Sequence, residues 1–325
     1  ADSLDDLKNT DIGMPTRDEA NQQEMNRRGE EERLAQIEKE KAEIHEKNKA
    51  LFTQAIEAAK DADAVIFVGG LNHDIDSEGF DRSDMILPYE QDMLIDALLD
   101  VRKDLIVTFV GGSPVEMPWR DKASAIVWSY YAGMETGTAL AKVIFGEVNP
   151  SGKLAETFPK KYADCVTAKN GQFGVWGRIV LEEGLYCGYR YFDRHRIAPA
   201  FCFGHGLSYT EFDYSNLTLK AEKGRDVKLT FTVKNTGKRV GSEVVQVYIA
   251  PIGPKADRPD KELKGYTKVE LAPGKSRKVS LTLHQEDFAY FDEHLHKFIA
   301  DAGDYEILVG ASCEDIRLKG LASLT

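Results

Sequence analysis

One carboxylate in this sequence is well placed for proton transfer: Glu78, between Ser77 and Gly79, in the polar run Leu71-Asn72-His73-Asp74-Ile75-Asp76-Ser77-Glu78-Gly79-Phe80-Asp81-Arg82. A glutamate held in such a loop can act first as a general acid and then as a general base. Acid work near neutral pH needs its pKa raised while the site is loaded. Asp74, Asp76 and Asp81 would push in that direction by like-charge repulsion, and Arg82 would oppose it. Arg82 is expected to pair with Asp81 and shape the loop, and Gly79 to give the backbone room to turn. His73 and His205 read as structural hydrogen-bonding residues. Among Trp119, Trp128 and Trp176, Trp128 falls inside an apolar run and reads as core. Trp176 lies in a glycine-rich loop and is the better candidate for stacking on a ring.

The elements that must position Glu78 are legible around it. Ala64-Val65-Ile66-Phe67-Val68 is a buried strand that stops at Gly69-Gly70. In an open α/β sheet, ligands are handled by loops leaving the carboxyl ends of strands. Pro88 precedes an amphipathic helix with Met93, Leu94, Ala97, Leu98 and Val101 on one side. A second strand, Leu105 to Val110, also ends in two glycines, Gly111-Gly112. A third, Ala125 to Tyr130, leads to a helix containing Ala139, Leu140, Val143 and Ile144. Apolar strands alternating with helices predict a mostly parallel sheet covered on both faces. From about residue 211 the period becomes two, as in Leu229, Phe231 and Val233 alternating with lysines and threonines. Short strands at this spacing predict a β-sandwich. The fold class is therefore α/β plus all-β.

The expected organisation has four parts. Residues 1–60 are an acidic lead-in and a long, mostly exposed charged helix, with a break expected at Gly29. Its heptad-like stripe Leu34, Ile37, Ile44, Leu51 is interrupted by Lys41 and Asn48, and it leaves a homodimer open. Residues 61–160 form the layered α/β domain. Residues 161–210, rich in aromatic residues and glycine, should pack across the domain boundary. Residues 211–325 form the sandwich.

Composition narrows the function classes. The 325 residues carry a formal net charge of -12, and the mean hydropathy is -0.39. An acidic surface disfavours nucleic acid and anionic membrane as partners, and no apolar run reaches the ~18 residues of a membrane span. Cys165, Cys187, Cys202 and Cys313 show no metal-ligand or redox spacing and read as free or buried thiols. There is no Walker loop, no dinucleotide glycine motif after a strand, and no HExxH. Pro114 removes an amide that a phosphate cradle at Gly111-Gly112-Ser113 would need. No cofactor is expected.

These segments together resemble glycoside hydrolase family 3, the β-glucosidase family. The resemblance rests on Ser77-Glu78-Gly79-Phe80-Asp81-Arg82 followed by Leu87-Pro88, and on Gly112-Ser113-Pro114-Val115-Glu116. It also rests on Trp128-Ser129-Tyr130-Tyr131-Ala132-Gly133-Met134-Glu135 and Asn149-Pro150-Ser151-Gly152-Lys153-Leu154. Gly188-Tyr189-Arg190-Tyr191-Phe192, Phe203-Gly204-His205-Gly206-Leu207-Ser208-Tyr209-Thr210 and Arg258 to Tyr266 complete it. Each motif alone is weak; their number and order carry the likeness, from about residue 55 to the C-terminus. The resemblance implies that the last domain is fibronectin type III-like and that Glu78 is the acid/base. It also implies that an aspartate nucleophile lies on an N-terminal (β/α)8 barrel that has no counterpart here. Asp84, in the acid/base loop, does not take the nucleophile role. The expected activity is that of the C-terminal part of an exo-acting retaining β-glucosidase acting on β-linked oligosaccharides or glucosides, inactive without its barrel. A β-xylosidase or α-arabinosidase of the same family and a non-catalytic interaction module are the alternatives. A periplasmic or extracellular location is expected, with the cytoplasm as alternative.

Overall fold

The computed structural model describes residues 17–79, 81–171, 180–221 and 225–325. Its first element is helix α1, Arg17–Lys60. The Glu, Lys, Arg and Gln residues of this stretch favour a helix and leave it solvated, with i,i+3 and i,i+4 pairs such as Arg27–Glu24 at 2.8 Å and Arg27–Glu31 at 3.0 Å. The helix runs through Gly29 without the expected break. One glycine costs only about 1 kcal/mol against alanine, and neighbouring charge pairs offset part of it. The C-terminal half of α1 meets the rest of the chain. Ile56 and Ala59 enter the α/β core, His45 Nδ1 contacts Glu90 Oε1 at 2.6 Å, and Asn48 Nδ2 donates to the Tyr89 carbonyl at 3.1 Å.

Three strands follow, β1 (Ile66–Gly70), β2 (Ile106–Val110) and β3 (Ala125–Trp128), parallel and in the order β1-β2-β3. Helix α2 (Gln91–Val101) joins the first two, and α3 (Thr136–Ile144) follows the third. Phe67, Val107, Phe109 and Trp128 pack with Ile95, Leu98 and Leu99 in one core. The inward face of α2 is thus rotated from the expected one, and Met93 and Val101 are exposed. An apolar helix satisfies the i, i+3, i+4 pattern along two adjacent stripes, and only packing chooses between them. Cover on both faces holds at β2, whose Val107, Thr108 and Phe109 are buried. It fails at β1, where Val68 remains 67% exposed.

Gly70 closes β1 at φ +128°, where a Cβ would collide with the Val110 carbonyl. The Gln91 amide brackets it, accepting from the Gly70 N–H and donating to the Gly70 carbonyl, both at 2.8 Å. Gly70→Ala is therefore expected to destabilise the α/β domain by about 3 kcal/mol. Urea denaturation monitored by tryptophan fluorescence measures this, because Trp119 and Trp128 sit in that core.

The segment up to residue 210 contains the short helices α4 (Val166–Lys169) and α5 (Tyr189–His195). Among the described residues nine strands come next: β4 (Phe212–Ala221), β5 (Val227–Asn235), β6 (Gly241–Pro251), β7 (Glu262–Leu271), β8 (Ser276–Leu283), β9 (Tyr290–Asp292), β10 (Lys297–Ile299), β11 (Gly303–Gly310) and β12 (Ile316–Leu324). They form a four-stranded sheet, β12-β11-β6-β7, a three-stranded sheet, β4-β5-β8, and the hairpin of β9 and β10. Alternation puts Leu229, Phe231 and Val233 into the space between the two larger sheets, against Val245, Val247 and Ile307. The aromatic segment meets this domain directly. Tyr189 stacks on Phe203 at 5.0 Å between ring centroids and accepts from the Leu263 N–H at 2.9 Å, while Lys261 pairs with Asp193 at 2.5 Å.

His205, in the same junction, packs its ring on Phe201 at 5.3 Å, so among the described residues packing rather than a side-chain hydrogen bond holds it. Burial pushes its pKa below the ordinary 6.5, and nearby Lys153 adds to the effect. With the folded pKa below the unfolded one, the unfolded chain binds more protons as the pH falls. The His205 contribution to stability is complete above about 6.5 and is lost as pH drops through that value toward the folded pKa. His205→Gln is expected to flatten the loss of stability between pH 7 and pH 5, read as a smaller difference in urea midpoint.

Candidate active-site loop

The register of the parallel sheet brings the site together. Gly70 pairs with Val110 and Phe109 with Trp128, so the three strands end nearly level and their loops emerge side by side. The β1 loop starts with the Leu71 N–H donating to the Val110 carbonyl at 2.9 Å, then turns on the Asn72 carbonyl, which accepts from Ile75 and Asp76 at 3.1 and 2.8 Å. Asp76 Oδ2 accepts from the Tyr131 hydroxyl at 2.7 Å and from the Gly112 N–H at 3.3 Å. One carboxylate thereby ties together the loops that follow β1, β2 and β3. Burial, together with the hydrogen bond to Asp76 and its charge, pushes the Tyr131 phenol up to about 12, so it stays protonated and donates.

Arg82 holds the far side of the loop. Its Nη2 donates to Ser113 Oγ at 3.0 Å and to the Pro114 carbonyl at 2.9 Å, which replaces the expected pairing with Asp81. Asp81 is exposed while Arg82 is half-buried against the β2 loop, where both oxygens accept from its one amino group Nη2. Gly79 adopts φ +84° with open space around it, so backbone conformation is what requires glycine there. Between these anchors Glu78 is exposed. Phe80 and Trp176 lie outside the described residues.

Beside the loop is a cleft of about 480 Å³ lined by Asp76, Asp81, Arg82, Ser113 and Glu156, among others. Burial raises the pKa of the Glu156 carboxyl. Asp84 also lines the cleft, but its Oδ1 accepts from the Ile86 N–H at 3.0 Å and its Oδ2 from Ser83 Oγ at 3.2 Å. It braces a turn. Trp119 is buried and donates to Asp92 Oδ1 at 2.7 Å, and Trp128 packs within the core. Neither offers a stacking face. His73 is exposed in the turn after Asn72. No group of three or more His, Cys, Asp or Glu side chains among the described residues could hold a metal ion.

The anchoring roles of Asp76, Tyr131 and Ser113 are what sequence reading missed. The repeated double glycine at the ends of β1 and β2 was the available signal, since strands that stop alike place their loops at one end. Chemically, the arrangement presents exposed carboxyl groups, Glu78 among them, on a braced loop, suited to giving a proton to, or taking one from, a group brought to it.

The model of the glycosyl hydrolase family 3 C-terminal domain matches residues 12–209, and that of a fibronectin type III-like domain matches residues 243–313. The chain is 43% identical over 272 residues to thermostable beta-glucosidase B of Acetivibrio thermocellus, covering 83% of this chain and 36% of that protein. Its fold superposes on the crystal structure of a beta-glucosidase from Kluyveromyces marxianus in complex with glucose with a TM-score of 0.81 and 37% identity, covering 84% of this chain and 33% of that one. A GH3 beta-glucosidase from Bifidobacterium adolescentis gives a TM-score of 0.81 at 38% identity, covering 85% and 41%. The chain thus spans only about a third of the length of the first two relatives.

Proposed function

The chain belongs to glycoside hydrolase family 3, and from that premise we propose that it supplies the general acid/base, Glu78, of an exo-acting retaining β-glucosidase that releases terminal glucose. The observation that carries the reading is the exposed Glu78 on a loop held by Asp76 and Arg82 at the ends of β1, β2 and β3. Identity to a beta-glucosidase over most of the chain supports it. The second carboxylate is an aspartate on an N-terminal (β/α)8 barrel portion, in the same or a partner chain, placed about 5–5.5 Å from Glu78 when the halves meet.

In the first step Glu78 protonates the glycosidic oxygen as the aspartate attacks the anomeric carbon; the C–O bond to the leaving group breaks and a glycosyl-enzyme forms. In the second, the Glu78 carboxylate takes a proton from water, whose oxygen displaces the aspartate. Closure of a barrel over the loop would remove water from around Glu78. Asp76, Tyr131 and Arg82 keep the loop in place.

Hydrolysis of an aryl β-D-glucoside by the chain joined to a family 3 barrel, with the anomer of the released sugar followed by NMR, tests the proposal. Retention of the β-configuration and little turnover by this chain alone are the expected results. An inverted product, or a preference for xylosides or arabinosides, would replace the reading. Self-association through α1, where Leu34 and Leu51 are exposed, completes the proposal. Light scattering that finds only monomer at micromolar concentration would remove that part.

A further inference from the structure

Two thiols meet where the aromatic segment rests on the sandwich. Cys202 precedes Phe203 in the aromatic segment, and Cys313 lies in the turn between β11 and β12. The Cys313 N–H donates to the Phe203 carbonyl at 3.1 Å. The Cys202 thiol lies 3.3 Å from Ser312 Oγ. Both side chains belong to one small core with Tyr248 and Leu308 and are almost fully buried, and the backbone contact between Phe203 and Cys313 sets the two cysteines side by side. The remaining cysteines are placed differently. Cys187 is exposed, and Cys165 sits half-buried 3.8 Å from Met85 Sδ. No third ligand that could make a metal site with the pair occurs among the described residues.

We propose that Cys202 and Cys313 are a cross-linking site, closing to a disulfide that fastens the aromatic segment to the β-sandwich when a small-molecule disulfide is the oxidant. The neighbouring Cys313 and Ser312 side chains hold the Cys202 thiol down at about 7, which provides thiolate near neutral pH. Cys313 is held up by the neighbouring Cys202 thiol and by burial, so it stays the protonated partner. The Cys202 thiolate attacks one sulfur of the oxidant, its S–S bond breaks, and one thiolate leaves. Cys313 then loses its proton, and its thiolate attacks Cys202 Sγ in the mixed disulfide and expels the second thiolate. Two protein thiols are oxidised to one disulfide, and one reagent disulfide is reduced to two thiols. Because both sulfurs are buried, the reaction waits on local opening of the junction.

The test is incubation of the whole chain with oxidised glutathione, quenching with an alkylating reagent, and peptide mapping. A peptide linking Cys202 to Cys313, loss of two hydrogens from the intact mass, and a thermal midpoint raised by roughly 5–10 °C are expected, since the bond closes a loop of about 110 residues. Cys202→Ser and Cys313→Ser should each abolish the link and the gain, and Cys187→Ser neither. Recovery of Cys202 and Cys313 in alkylated or glutathionylated form, unlinked, after prolonged oxidation of the wild-type chain would overturn the proposal. That readout does not depend on how the variants fold.

Discussion

Glu78→Ala in the assembled enzyme is expected to lower kcat for a β-glucoside with a poor leaving group by about 10²–10⁴-fold, the usual size of a general acid/base contribution. The loss should shrink for an activated aryl glucoside, whose leaving group needs no proton in the first step. With that substrate the second step limits, because the glycosyl-enzyme then lacks its general base. Azide needs no base and should restore turnover as glycosyl azide, detected by mass spectrometry. Glu78 is exposed, so the substitution should leave the thermal midpoint nearly unchanged. That separates lost chemistry from lost fold. Unaltered kcat on both substrates would remove Glu78 from the mechanism, whatever the family.

Lys153→Met is expected to cost about 3–5 kcal/mol of stability. Lys153 comes from the loop after α3, and its Nζ lies 3.5 Å from Glu243 Oε2 on β6 and donates to the Gly206 carbonyl at 2.8 Å. Glu243 also accepts from the Tyr214 hydroxyl at 2.8 Å and is only 5% exposed. Without the ammonium group, a buried carboxylate loses its counter-charge at the junction of the two domains. Burial lowers the Lys153 pKa, with Glu243 opposing the effect, so attraction to Glu243 does not fully repay the desolvation of Lys153. Lys153→Met with Glu243→Gln should therefore recover most of the loss, because no charge is then stranded. Guanidinium denaturation of the single and double variants measures both effects. A double variant no more stable than Lys153→Met would mean that packing, not charge, sets the cost.

Two local errors in sequence reading have one cause. The α2 stripe was placed one position off because Met93, Leu94, Ile95, Leu98 and Leu99 offer two apolar faces, and only the position of the sheet selects one. Arg82 was assigned to its neighbour Asp81, whereas the oxygens it meets, on Ser113 and Pro114, lie in another loop. Where a residue's partner is remote in sequence, spacing carries no information about it.

The order of the elements, the change from helical to alternating periodicity near residue 211, and the family were all legible in consecutive residues. These follow from local propensity and from motifs written in consecutive residues. The sequence also singled out Glu78, because a carboxylate in a polar loop behind a buried strand is a local pattern. The tertiary structure decided what holds Glu78 in place: Asp76 meets Tyr131 and Gly112 only because the parallel strands end level. It likewise brought together Cys202 and Cys313, which no spacing rule connects. Both are long-range contacts, fixed by sheet register and domain packing.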